Sequence, residues 1–283
     1  MTERVALMTG GLRGLGRAMV LGLARAGHRV AAVGHIAADI GEVEAEARAL
    51  GVIGLVWPLV ADLRDPRECD RVVAETRHRF GRIDILVNNA GLTFTYIDPA
   101  RYRRPEVQRF WQVSDEIVEN VMATNVLAAD RLSRRVAPGM VGQGWGRIVN
   151  VTTKLDTMNR IGTHPYGATK AALEMATEVW AKDAAGTGLT INIVNPGAGA
   201  NTPGMADEMR EMSREGRAPR LVEPDEMVPP LLYVVSDAAD AVNGYRFDAN
   251  AWDASLPIEE AARLAGRPAG FELHPAGAAS QGG

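Results

Sequence analysis

Short apolar runs rich in β-branched residues recur along this chain, each followed by a stretch long enough to be a helix, and this alternation leaves few folds open. Val5–Met8, Val30–Val33, Val56–Ala61, Ile83–Val87, Arg147–Val151 and Thr190–Val194 read as strands that are apolar on both faces, as strands covered on both sides must be. Helical patterns separate them at Leu15–Ala26, Ile40–Leu50, Pro66–Phe80, Asp115–Val136 and Tyr166–Ala185. Gly27, Gly51, Gly81 and Gly186 follow four of these, where C-terminal caps commonly stand. Strand–helix–strand repetition implies right-handed crossovers. The expected fold is α/β, a doubly wound parallel sheet of Rossmann type with helices on both faces.

Residues 1–267 are expected to form one catalytic domain. Two segments interrupt its rhythm, residues 92–114, rich in Tyr, Arg and Pro, and residues 197–220, carrying Met205, Met209 and Met212. Connections that long in a compact domain are usually functional or mobile. The first reads as an insertion, the second as a lid, and residues 268–283 as a tail that frays. The net charge of −4 argues against a nucleic-acid partner, because proteins that grip phosphate backbones carry a basic surplus. The lone cysteine, Cys69, reads as a small helix residue. No apolar window reaches the length of a signal peptide core or a membrane span, so a cytoplasmic protein is expected. No metal site is assigned.

The first strand runs directly into Thr9-Gly10-Gly11-Leu12-Arg13-Gly14-Leu15-Gly16, which opens the first helix. A diphosphate must approach such a backbone closely, and side chains at those glycines would block it. The helix N-terminus adds N–H donors and partial positive charge. Asp62, at the end of the third strand, is placed either to accept from an adenine amine or to cap the turn that follows. Asn88-Asn89-Ala90-Gly91 ends the fourth, where amides tie strand ends together or simply form a turn.

Tyr166 and Lys170 begin a helix four residues apart and so share one face. A free phenol has a pKa of about 10; a neighbouring ammonium is expected to lower it and make a tunable acid/base. Thirteen residues earlier Thr153 ends the fifth strand, with Thr152 competing for the role of a hydroxyl that meets a substrate oxygen. Asn125 lies mid-helix, where Asn is a poor helix former, which suggests a specific hydrogen-bonding duty.

Taken together, Thr9–Gly16, Asp62, Asn88–Gly91, Asn125, Thr153, Tyr166, Lys170 and Asn195-Pro196-Gly197 resemble the short-chain dehydrogenase/reductase family in order and approximate spacing, over about residues 1–250. The resemblance implies hydride transfer between a nicotinamide cofactor and a carbonyl or alcohol carbon. It implies that Gly10, Gly14 and Gly16 carry the diphosphate, and that Asp62 with Asn88–Gly91 holds the adenosine side. By the same resemblance, Tyr166 is expected to exchange a proton with the substrate oxygen, Lys170 to tune Tyr166 and bind the nicotinamide ribose, and Thr153 to orient the oxygen. Asn125 is likewise expected to keep a relay water, and Pro196-Gly197 to flank the nicotinamide. The expected cofactor contacts are Gly10, Arg13, Gly14, Leu15, Gly16, His35, Asp62, Leu63, Asn89, Ala90, Gly91, Pro196, Gly197 and Thr202, with Tyr166 and Lys170 shared. A homotetramer or homodimer built on the two long helices is also implied.

Three features depart from the family pattern. Thr153 replaces the usual Ser, adding a methyl group and stiffening χ1. Asn201 stands where the lid Thr is usual, so Thr202 is assigned that role. The connection from Asn88 to Asn125 is about a dozen residues longer than usual, on the same family comparison. The second strand ends Val33-Gly34-His35, without the Asp that binds the ribose diol in members preferring NAD, and Arg13 stands where NADP-binding relatives carry a basic residue. NADP(H) is therefore favoured, with NAD(H) as the alternative if Asp39 folds back toward the ribose. For the insertion, a solvated basic loop whose aromatics pack on its own body or a neighbour is preferred to a substrate cover, and plain packing is preferred for the lid methionines. A non-catalytic dinucleotide-binding sensor on the same fold is the competing function.

Overall fold

The computed structural model describes residues 2–271. Eight strands are formed among them: β1 (Val5–Thr9), β2 (Arg29–Gly34), β3 (Val56–Val60), β4 (Ile85–Asn88), β5 (Gly146–Asn150), β6 (Leu189–Asn195), β7 (Tyr245–Asp248) and β8 (Gly266–Pro268). They build one sheet in the order β3-β2-β1-β4-β5-β6-β7-β8, parallel except for the antiparallel β7–β8 pair. The six anticipated strands are all present, within three residues of their expected bounds. Because alternate side chains point to opposite faces, β1 sends Ala6 and Met8 to one core and Leu7 to the other.

The helices are α1 (Gly14–Arg25), α2 (Ile40–Ala49), α3 (Pro66–Phe80), α4 (Phe94–Ile97), α5 (Asp115–Met122), α6 (Ala128–Gly142), α7 (Leu155–Met158), α8 (Tyr166–Asp183), α9 (Asp207–Arg214), α10 (Val228–Val234) and α11 (Ile258–Ala265). Met19 and Leu23 of α1 pack with Leu231 and Val234 of α10 on one face of the sheet. Val72 of α3 and Leu132 and Val136 of α6 cover the other. Helix α3 shows how local chemistry sets its bounds. Asp65 accepts from the Arg67 N–H at 2.9 Å, Pro66 fills the first position, and Gly81 closes the end in the left-handed region at φ +82°.

Four elements differ from expectation. The single helix over Asp115–Val136 is two, joined by a π-helical turn at Ala123–Leu127, and α6 continues through Pro138 to Gly142. The π turn inserts a residue into the helical register, which sequence periodicity does not reveal. The lid is not wholly irregular, since α9 forms within it, with Asp207 and Glu208 in its first turn. Strand β7 was not anticipated because Arg246 and Asp248 make it read as polar, yet Arg246 is fully buried. Pro268, expected to begin the tail, ends β8 opposite Tyr245. The frayed end expected at 278–283 lies outside the described residues.

Strand order reverses between β1 and β4, whose C-terminal ends therefore diverge into a crevice. A ligand site in a doubly wound sheet belongs at such a place.

Candidate active site

The glycine loop leaves β1 into this crevice. Gly10 and Gly14 hold φ of +62° and +55°, which only glycine adopts readily. A Cβ on Gly16 would lie 1.9 Å from the Gly10 carbonyl oxygen, so nothing larger than glycine fits there. The loop is braced from β4. Asn89 donates from Nδ2 to the Thr9 and Gly10 carbonyls, both at 3.0 Å, and the Thr9 hydroxyl accepts the N–H groups of Asn89 and Ala90 at 2.9 and 3.0 Å. The Asn89 side chain thus holds the loop's shape. Beneath it Asn88 donates to Asn150 at 2.9 Å and Ser133 at 3.1 Å, and Asn150 donates to Thr177 at 2.8 Å, tying β4, β5, α6 and α8 together.

Towards the adenosine side, Arg64 grips Asp62 through Nε at 2.9 and 3.0 Å and through Nη2 at 2.6 Å, and this grip holds the carboxyl below its ordinary pKa. Its backbone N–H also donates to Asp62 at 3.1 Å, so the turn-capping reading of Asp62 is realised. Leu63, next in the chain, buries its side chain in the core beside Cys69. His35 is exposed just beyond β2. Asp39 lies 3.8 Å from Arg13.

The opposite wall begins at β5. Of the two candidate hydroxyls, Thr152 donates to the buried Glu174 carboxylate at 3.1 Å, while Thr153 lines the same cleft as Tyr166. The Thr153 carbonyl accepts from Nη2 of Arg246 at 3.0 Å, which fixes the strand end. Lys170, one turn along α8, donates to the Val151 carbonyl at 2.7 Å and stands 5.9 Å from the Tyr166 ring centre. Asn125 sits in the π turn. Its Oδ1 accepts the Leu92 N–H at 2.7 Å, and its Nδ2 donates to Leu92 O and Thr169 Oγ1, both at 3.1 Å. Asn125 Oδ1 and Lys170 Nζ both lie 3.5 Å from where a Cβ on Gly91 would be, so these three residues meet at one point.

Burial sets the protonation here. It pushes the Tyr166 phenol above its ordinary value, against the lowering expected from Lys170, and the Thr153 contact only partly offsets this. It also pulls Lys170 down to about 8. Tyr166 is therefore a neutral phenol at pH 7, the form that donates a proton.

These groups line a cleft of about 510 Å³ that reaches from the glycine loop to the lid. Gly197, at φ +70°, turns the chain after Pro196, and its N–H donates to Asn195 Oδ1 at 2.8 Å. Asn201 turns away, donating to Glu223 at 2.9 and 3.1 Å, whereas a Cβ on Gly14 would meet Thr202 at 3.4 Å. Thr202 is thus the lid residue that faces the glycine loop. The insertion is more than a solvated loop. Phe94 packs on Tyr166 with ring centres 4.6 Å apart, and Arg101 and Tyr102 also line the cleft. Phe110 and Trp111, in contrast, are 64% and 69% exposed. Insertion and lid are joined by Thr95 donating to Gly204 O at 2.8 Å and by an Arg103–Glu208 ion pair at 2.9 Å. Met205 and Met209 line the cleft, contrary to a purely packing role.

Sequence reading missed three contributors. Phe94 lies within the insertion, the Thr9 hydroxyl stands at the start of the loop without a motif of its own, and the buried Arg246–Glu174 pair joins residues 72 positions apart. An arginine set between two aromatic residues, Tyr245 and Phe247, was the one available signal for the last.

The short chain dehydrogenase profile matches residues 4–213. The 3-oxoacyl-(acyl-carrier-protein) reductase of Thermotoga maritima is 31% identical over 249 residues, spanning 85% of this chain and 94% of that protein. The 2-dehydro-3-deoxy-D-gluconate 5-dehydrogenase of Escherichia coli is 34% identical over 252 residues, 86% of this chain and 92% of the relative. Among solved structures, a candidate NAD(P)-dependent gluconate 5-dehydrogenase from Beutenbergia cavernae with bound NADP superposes with a TM-score of 0.74 at 31% identity, covering 88% of this chain and 96% of its own. An actinorhodin polyketide ketoreductase variant with NADPH gives 0.72 at 28% identity, over 85% and 93%. The sheet order, the glycine-only cradle and the extent of these matches make the chain an enzyme of the short-chain dehydrogenase/reductase family, with a nicotinamide dinucleotide as its cofactor.

Proposed function

We propose that this enzyme is an NADP(H)-linked ketone reductase or alcohol dehydrogenase in which Tyr166 exchanges the proton. The observation that carries the reading is the convergence of Tyr166, Thr153 and Lys170 in one cleft that also opens onto the glycine cradle. When bound, the nicotinamide group supplies or accepts the hydride. Tyr166, neutral through burial, gives its proton to the carbonyl oxygen in the reducing direction. Thr153 orients that oxygen with its hydroxyl, and the Arg246 bond to its carbonyl keeps the strand end in place. Lys170 and Asn125, meeting over Gly91, form the route by which the phenol regains a proton. Gly10, Gly14 and Gly16 take the diphosphate, Thr202 and Pro196-Gly197 close over the nicotinamide end, and Asp62, Ala90 and Gly91 lie on the adenosine and ribose side.

NADP(H) is favoured over NAD(H) because Arg13 stands at the loop, no acid ends β2, and two similar structures hold NADP or NADPH. Asp39 is the opposing feature, since it faces Arg13. The partners are a small carbonyl or alcohol substrate and further copies of this chain, without nucleic acid or membrane. No described helix is long and apolar enough to cross a membrane. The buried free thiol of Cys69 accords with a reducing cytoplasm.

The test is titration with NADPH and NADH by nicotinamide fluorescence, with Tyr166→Phe assayed beside the wild type on a ketone panel. The expected result is tighter NADPH binding, equal in the variant, and turnover reduced in the variant by a factor of about 10² or more. Absence of binding by either nucleotide overturns the reading. Tight binding without any turnover favours a sensor.

A further inference from the structure

The charge on the cleft wall is one-sided. Arg101, Lys154, Arg160 and Lys170 line it, and no Asp or Glu does, in a chain whose net charge is −4. Lys170 belongs to the chemistry already described, and Lys154 is paired with Asp156 at 2.8 Å. The two arginines differ. Of the other arginines in the insertion and lid, Arg103, Arg104, Arg210, Arg217 and Arg220 pair with carboxylates, while Arg109 and Arg214, which do not line the cleft, have none among the described residues. Arg101 and Arg160, the two that line the cleft, have no carboxylate partner among the described residues.

Arg101 is also held in place. Its guanidinium lies 4.5 Å from the centre of the Phe94 ring and donates to the Gly162 carbonyl, and Phe94 itself packs on Tyr166. The cation is therefore one aromatic ring away from the proton donor. Arg160 precedes Gly162 on the same loop and is exposed. A guanidinium fixed by an aromatic face and a backbone carbonyl retains further N–H donors, and its fork matches a two-oxygen anion.

Resting on the oxidoreductase reading above, we propose that the substrate carries an anionic group, a carboxylate or phosphate, which Arg101 and Arg160 bind at the cleft mouth while its carbonyl lies at Tyr166. The anion fixes the molecule at one end and the phenol meets it at the other, so a neutral ketone of equal size binds in more than one pose. Phe94 serves as a spacer between the two points, which limits the substrate to a short chain between anion and carbonyl.

The experiment measures binding to NADP⁺-loaded enzyme by calorimetry, using levulinate against methyl levulinate and dihydroxyacetone phosphate against dihydroxyacetone. Wild type, Arg101→Gln and Arg160→Gln are compared. The proposal expects the charged member of at least one pair to bind about 10-fold or more tightly than its neutral counterpart, and that preference to collapse in both variants while NADPH affinity stays unchanged. The pair that responds identifies the anion. Equal binding within both pairs, or a preference that survives both substitutions, overturns the proposal. If NADPH binding and turnover of neutral ketones persist in that case, only the anion assignment falls; if wild-type enzyme does not bind NADPH, the oxidoreductase reading falls with it.

Discussion

Lys170 carries the sharpest residue-level consequence. Its ammonium is buried against the Val151 carbonyl with a pKa of about 8, below the ordinary 10.5. Between those values the unfolded chain holds more protons than the folded one, so the lysine costs stability in full below about 8, and the cost fades as pH rises towards 10.5. In cofactor-free protein, the stability of wild type relative to Lys170→Met should therefore rise by about 3 kcal/mol from pH 7 to pH 11. Urea unfolding of both proteins across that range checks it, and a flat difference would show that Lys170 titrates normally. Tyr166, Lys170 and the glycines were legible because each is a local pattern whose chemistry depends on neighbours a few positions away. Choosing between Thr152 and Thr153, or Asn201 and Thr202, required the partners Glu174 and Glu223, which local spacing does not supply.

At the level of elements, β7 and α8 are locked by an ion pair with no solvent access on either side chain. Arg246 donates to Glu174 at 2.6 Å, to Asp248 at 3.0 Å and to the Thr153 carbonyl. Removing one partner leaves the other charged and buried, at a cost of about 3–5 kcal/mol, whereas removing both costs far less. Arg246→Met and Glu174→Leu should each lower the thermal midpoint strongly, and the double variant should recover much of the loss. Calorimetry of the three proteins decides it, with additive losses as the contrary result. The strands of the central sheet were readable because burial on both faces demands apolar runs. Strand β7 was not, since its stability rests on a partner in another element and not on its own hydrophobicity. The π turn was unreadable for a related reason: it changes the helical register without changing which residues are apolar.

For the whole molecule, the outer surfaces of α5, the π turn, α6 and α8 leave Met122, Leu127, Val141 and Val179 between 36% and 50% exposed. Apolar side chains spread over adjoining helices suit an interface between copies, the arrangement the family resemblance implies. Light scattering should give a mass of two or four chains, and Val179→Glu should shift the population towards smaller species. A wild-type monomer at micromolar concentration would refute this.

The ties between the insertion and the lid carry a kinetic implication. Since Thr95 bonds Gly204 and Arg103 pairs with Glu208, neither segment swings outward without breaking contacts to the other. Ligand exchange on this side of the cleft is therefore expected to require the two segments to move together. Breaking these ties, as in Arg103→Gln, is therefore expected to shorten the dwell time of a bound nucleotide, which stopped-flow release of NADPH would read.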